Sequence, residues 1–197
     1  RATAVVLTHS HIDHAEGAHE LAQYLGVPLH TWDATRLDEG AGNVRTLRNN
    51  DVLEVNGADV RVLPTPGHSS DSVCFLVGES ILTGDTVLGR GTTLVAHPDG
   101  RLADYLASLQ ALARECREHE IATLLPGHGP PLDDPDGVVE AYLQHRHERL
   151  EEISAVMKAG ASTVEEIVDR VYADIPLEVR PAAIATVRAQ IEFLDND

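Results

Sequence analysis

The feature that most restricts this chain is the run His9-Ser10-His11-Ile12-Asp13-His14, entered directly from residues 2–8, an apolar, β-branched stretch that reads as a buried strand. Three more motifs repeat the arrangement. Thr65-Pro66-Gly67-His68, Thr83-Gly84-Asp85 and Pro126-Gly127-His128-Gly129 each follow a predicted strand. Four strand ends can converge on one edge of a sheet, which would gather His9, His11, Asp13, His14, His68, Asp85 and His128. Imidazole and carboxylate are ligands of Zn²⁺ and related ions, and seven of them exceed the four that one tetrahedral zinc needs, so two metals is the economical count. His9 and His11, two apart on an extended loop, can face one ion while the adjacent Asp13 and His14 project toward a second. Glycines beside the ligands let the chain approach closely. The other histidines (His19, His30, His97, His119, His145 and His147) have no such pattern.

Along the chain, a helix is expected at about 15–25, carrying Leu21 and Leu25 at i, i+4 with Gly26 as its stop, then a strand at 27–31 and a loop over 33–50. Short β runs at 51–56, 58–64, 72–77 and 80–83 are spaced like antiparallel neighbours. Residues 86–100 are rich in glycine and threonine and read as a loop over a site, in which His97 has no assigned role, a second-layer or substrate contact being the alternative. An amphipathic helix at 101–119 places Leu102, Leu106, Leu109 and Leu112 inward, and Tyr105 is assigned to its packing. A strand at 121–125 delivers His128. These readings place a catalytic domain at 1–136 and a tail of three helices at 137–197, its middle helix opened by a capping box at Ser162-Thr163-Val164-Glu165.

Composition narrows the function. Fifteen basic against 32 acidic residues give a net charge of −17, which opposes binding to phosphate backbones unless arginines gather on one face. The tail resembles a helix–turn–helix in outline, but residues 146–197 hold 11 acidic and 6 basic residues, a poor balance for reading DNA. Arg146, Arg149 and Arg188 read as a solvated face, with substrate or first-domain contact the alternative. Ser69, Ser70 and Asp71 read as turn formers, or else as hydrogen-bond partners of a ligating imidazole. Cys74 and Cys116 make no disulfide framework, so reduced thiols and a cytoplasmic location are expected, with no membrane span. No Gly-x-Ser-x-Gly elbow is present, which sets aside a serine hydrolase.

His-Ser-His-Ile-Asp-His, Thr-Pro-Gly-His-Ser, Thr-Gly-Asp and Pro-Gly-His-Gly, in this order, resemble the signature of the metallo-β-lactamase-fold hydrolases. The resemblance implies an α/β four-layer αββα sandwich in which His9, His11 and His68 hold one zinc, Asp13, His14 and His128 hold the second, and Asp85 bridges them. Iron or manganese could replace zinc. Asp104-Tyr105-Leu106-Ala107-Ser108-Leu109 and the tail after His145 are similar to the lactamase-beta-like 2 subgroup, which has a C-terminal winged-helix-like region and includes single-strand endoribonucleases. By this analogy the family's first strands would precede residue 1 by several tens of residues, and the tail ends before its β-wing would close.

The expected function is a binuclear zinc hydrolase of a small ester, thioester, lactone or amide, with Asp13 and Asp85 as its catalytic carboxylates, Asp13 orienting the nucleophile or accepting its proton. A metal-dependent endoribonuclease acting on single-stranded RNA is the alternative, and a non-catalytic metal-binding regulator a third. A homodimer is expected from the tail's capacity to build an interface.

Overall fold

The computed structural model describes residues 1–37 and 42–196; residues 38–41, within the loop expected over 33–50, and Asp197 lie outside the described residues. Strands β1 (Val5–Val6), β2 (Leu29–Thr31) and β3 (Val44–Thr46) form a parallel sheet in that order. Strands β4 (Val52–Val55), β5 (Ala58–Pro64), β6 (Val73–Val77), β7 (Ser80–Gly84) and β8 (Thr123–Pro126) form a second sheet, antiparallel through β7 and parallel between β7 and β8. The pairings Val55↔Ala58 and Val77↔Ser80 leave two-residue turns, which hold the hairpins in register.

The two-residue period of the strands decides the layering. Leu63, Cys74, Ile81 and Leu124 face helix α3 (Leu102–Glu118), where Tyr105, Leu109 and Leu112 are buried against them. Their neighbours Val62, Val73 and Phe75 turn the other way and meet Leu47, Val6 and Trp32 from the first sheet. On the outer face of that sheet, Leu7 and Leu29 pack against Ala18 and Ala22 of helix α2 (Ala18–Leu25). The order helix, sheet, sheet, helix is the expected αββα sandwich. Burial of a side chain such as Leu109, Leu112 or Leu124 contributes roughly 1.5–3 kcal/mol.

Three local expectations change. The helix expected at 15–25 is two helices, α1 (Ile12–Ala15) and α2, separated by Gly17 at φ +79°. Within α2 two i, i+4 rows are apolar, and the one packed on Leu7 and Leu29 is Ala18 and Ala22, which leaves Leu21 and Leu25 exposed. The loop over 33–50 contains a 3₁₀ turn (Ala34–Arg36) and β3, whose Arg45 and Thr46 are exposed at the sheet edge and so carry no apolar alternation.

The tail comprises α4 (Pro135–Lys158), α5 (Val164–Val171), a 3₁₀ turn (Leu177–Val179) and α6 (Arg180–Asn196). Among the described residues no strand follows β8. Val139, Tyr142 and Leu150 of α4 join the core around α3, whereas Ile153 meets Ile167 and Val168 of α5 and Ala183 and Val187 of α6 in a second cluster. The capping box of α5 is Thr163 with Glu166, one residue later than expected. Two Ser/Thr-x-x-Glu registers overlap here, and the chain takes the one in which Glu166 Oε2 also accepts from Ser162 N at 2.7 Å. No helix among the described residues is long and apolar enough to cross a membrane.

Candidate metal centre

Strands β5 and β7 are both antiparallel to β6 and therefore run the same way, and β8 is parallel to β7. Their carboxyl ends share one edge, where His68, Asp85 and His128 follow directly. From the first sheet, β1 leads through Leu7 and Thr8 to His9, and His11 is still extended (φ −61°, ψ 149°) as the cap of α1. Asp13 and His14 lie on that single helical turn rather than on an extended loop, which separates them from His9 and His11. Two glycines make this crowding feasible. A Cβ on Gly67 would stand 2.3 Å from the Tyr105 Cα, and one on Gly127 would stand 2.7 Å from His14 Cε1 and 2.8 Å from Asp85 Oδ1.

All seven candidate ligands come together. Ligand atoms of His9, His11 and His68 lie within 4.8 Å of one another, as do those of Asp13, His14 and His128, and those of His9, His14 and Asp85. His68 Nε2 is 2.9 Å from His11 Nδ1, and His14 Nε2 is 3.2 Å from His128 Nε2. Asp85 stands between the triads, with Oδ1 at 3.3 Å from His14 Nε2 and Oδ2 at 3.8 Å from His68 Nε2 and 3.6 Å from His128 Nε2. Asp13 Oδ2 is 3.1 Å from His128 Nε2. The floor of the site is buried (His9 1%, His68 9% exposed), while the side chains of Asp13 and His128 are about half exposed, at 55% and 51%. The His11 side chain is 41% exposed as well, so the site opens past Asp13, His128 and His11 above the buried His9 and His68.

The donors fit divalent ions. His9 Nε2 and Asp85 Oδ1 are buried without a hydrogen-bond partner, a costly arrangement unless a cation takes their lone pairs. The His68 Nδ1–H donates to the Leu94 carbonyl at 2.7 Å, and His9 Nδ1 meets Thr8 Oγ1 at 3.1 Å, so each presents Nε2 to the site. Burial first, and then the rings of His14, His68 and His11, push His9 down to about 3. Burial likewise lowers His68, against the opposing pull of the Leu94 carbonyl and Asp85. Both imidazoles are thus neutral and able to ligate near neutral pH. Burial alone would raise Asp13, but its backbone N–H and the His14 and His128 rings together hold its carboxylate below the ordinary range.

Behind the ligands, the structure adds residues that the motifs did not single out. His11 Nε2 is 3.9 Å from Asp99 Oδ2, and Asp99 accepts from Arg36 Nη1 at 2.8 Å and from Ser70 N at 3.3 Å. The Leu94 carbonyl had no sequence signal at all; Asp99 and Arg36 had only their charge. Ser69 donates to Asp71 Oδ1 at 2.8 Å and, with Ser70, forms the turn after His68; none of the three bonds a ligating ring. His97 pairs with Glu192 of α6 at 3.2 Å and so belongs to the tail contact, not to the ligand cluster. Tyr105 is fully buried, its hydroxyl donating to Thr86 O at 2.7 Å. Arg146 is not part of a solvated face. It is buried and donates to Thr93 O, while Arg188 is exposed.

An αββα sandwich with histidines and carboxylates gathered at one sheet edge defines a class of proteins built to hold divalent metal there. The chain belongs to the Metallo-beta-lactamase superfamily, whose family model matches residues 2–128. It is 31% identical over 200 residues to the Beta-lactamase-like protein 2 homolog of Caenorhabditis elegans, covering 98% of this chain and 65% of that protein. The chain thus spans a little under two thirds of that relative's length. The metallo-beta-lactamase family protein TTHA1429 of Thermus thermophilus shares the fold at a TM-score of 0.80 and 24% identity, covering 99% of this chain and 75% of that one. TTHA1623, in a di-iron-bound form, is 27% identical with a TM-score of 0.57, covering 72% of this chain and 76% of that one.

Proposed function

We propose that the chain carries the active site of a binuclear metal-dependent hydrolase acting on a small ester, thioester, lactone or amide. The observation that carries this reading is the pair of His/Asp triads with Asp85 between them and two buried donors, His9 Nε2 and Asp85 Oδ1, left unpaired. His9, His11 and His68 would hold one ion, Asp13, His14 and His128 the other, with Asp85 shared. Zinc suits this donor set; the di-iron relative makes iron the competing metal. Bound divalent ions supply Lewis acidity to the scissile carbonyl and to the attacking water.

The chain's own residues do the rest. Asp13, ionised and half exposed, stands at the open side of the site, where its carboxylate orients a water and accepts its proton. The Leu94 carbonyl fixes the ring of His68, and Asp99 sets a negative charge beside His11. The net charge of −17 supports a small-molecule substrate over RNA. Cys74 and Cys116, both buried and free, support a reducing, cytoplasmic setting.

The test is turnover of a panel of esters, thioesters, lactones and amides by metal-loaded protein, with labelled single-stranded RNA as a parallel substrate and Asp13→Ala prepared identically. Hydrolysis of a small substrate, lost in Asp13→Ala, is the expected result. Cleavage of RNA alone would overturn the substrate class, and fewer than two ions per chain would overturn the binuclear centre.

A further inference from the structure

Between residues 92–94 and the tail helices lies a cavity of about 240 Å³ walled in part by His145, Arg146, Arg149 and Thr186, three of which carry a polar atom buried just behind the wall without a hydrogen-bond partner: His145 Nδ1, Arg146 Nε and Thr186 Oγ1. Arg146 is only 3% exposed and Thr186 only 7%. Buried polar atoms of folded proteins are nearly always paired, so three orphans on residues of one cavity wall signal a missing partner. The same signature marks the metal cluster at His9 and Asp85.

The sign of that partner follows from the surroundings. Arg146 uses one guanidinium nitrogen on Thr93 O and stacks at 5.1 Å over the Tyr105 ring, leaving Nε–H free. Arg149 lies 4.7 Å over Tyr172 and pairs through Nη1 with Glu152 at 2.6 Å, outside the cavity lining. Among the described residues no carboxylate lines the cavity, although the chain as a whole carries −17. Burial first, and then the Arg146 and Arg149 guanidiniums, hold His145 below its ordinary value, against the weaker pull of Glu148 and Glu152. Apart from Thr92 and Thr93, the remaining wall, including Leu94, Ile175 and Ala183, is mainly apolar.

We propose that this cavity binds the carboxylate of a small organic acid, the anion drawing the buried Arg146 Nε–H and Thr186 hydroxyl to the cavity surface beside Arg149, and the apolar body lying against Ile175 and Leu94. A planar guanidinium matches a carboxylate in charge and shape. The volume, below the roughly 300–1,000 Å³ of drug-sized ligand pockets, sets the ligand at about the size of an aromatic acid. The cavity shares its wall with the metal cluster: Thr93 Oγ1 donates to Asp85 O at 2.9 Å and Leu94 O accepts from His68 Nδ1. The carboxylate is therefore either the far end of the substrate or a separate acid bound beside it. Only that choice rests on the hydrolase reading; binding itself does not.

The experiment is calorimetric titration of the metal-loaded chain with benzoate, benzamide and inorganic phosphate. Saturable benzoate binding is expected, with benzamide and phosphate weaker. Thr186→Val, close in shape to threonine, and Arg149→Met should each weaken benzoate about tenfold, the scale of one hydrogen bond to a charged group. The exposed Arg117→Met should leave it unchanged. Once a substrate is in hand, benzoate that raises KM at constant kcat assigns the cavity to the substrate's own carboxylate. Benzoate that alters kcat assigns it to a second acid; either pattern supports the site. Absence of saturable binding, affinity unmoved in both cavity variants that retain native circular dichroism, or phosphate binding as tightly as benzoate would overturn the proposal.

Discussion

The metal edge and the cavity beneath the tail are both marked by orphaned buried polar atoms, yet they are assembled in opposite ways. At the edge, seven side chains come from four short motifs at strand ends, and four of them sit within one six-residue run. At the cavity, the lining comes from residues 92–94, from α4 and from the 172–186 region, with no two contributions sharing a motif. Coordination geometry demands donors at fixed short separations, so it imprints a local spacing. A packed cavity demands only that distant helices leave a gap, and its residues carry no common signature.

The largest effect that would sharpen this contrast is at the edge. His68→Ala removes one donor from a triad and should lower metal affinity and turnover by more than the roughly 10–100-fold typical of losing an outer partner of a ligand; elemental analysis and the substrate panel read both. A mutant that keeps two ions and full activity would break the assignment. In the tail, Ile153→Ala empties a fully buried position and should cost about 2–5 kcal/mol in urea unfolding, with metal content unchanged at native protein concentration.

Acid acts on the metal edge and on the cap of α5 with different onsets. His9 has a folded value of about 3 against 6.5 when unfolded, so the unfolded chain binds the extra proton as pH falls below about 6.5. Metal-free protein should therefore lose stability from about pH 6.5 downward, with a slope approaching 1.4 kcal/mol per pH unit, and this group adds nothing above that range. Glu166, held down by the backbone N–H groups of Ser162 and Thr163, contributes stability above 4.5 that is lost only as pH falls below it. Hydrogen exchange on the metal-free chain should show the strand-end loops opening at a higher pH than α5. The smallest effect is expected from Thr163→Ala, which removes the α5 cap and should cost about 0.5–2 kcal/mol without altering metal binding.

The same contrast explains what the sequence disclosed. The ligand motifs, the β4–β7 hairpins and the leucines of α3 were legible because each rests on local spacing or a strict period. The strand β3 was not, because an edge strand with exposed Arg45 and Thr46 has no alternation to display. The break at Gly17 and the inward turn of Ala18 and Ala22 instead of Leu21 and Leu25 were not, because both i, i+4 rows of α2 are apolar and only the packing on Leu7 and Leu29 chooses between them. The Leu94 carbonyl that orients His68 is backbone, invisible to any reading of residue types. Arg146, one of two arginines in α4, is distinguished from Arg149 only by what covers it.

The parallel pairing of β7 with β8 also fixes an order of assembly. Parallel neighbours cannot be joined by a tight turn, and here the whole of α3 lies between them. Asp85 emerges from the ribosome well before His128, and the two meet only when the α3 crossover has packed and the long loop has closed. The last ligand to be synthesised thus depends on a long loop closure, so a nascent chain halted before β8 carries six of the seven ligands, with the second triad still lacking His128.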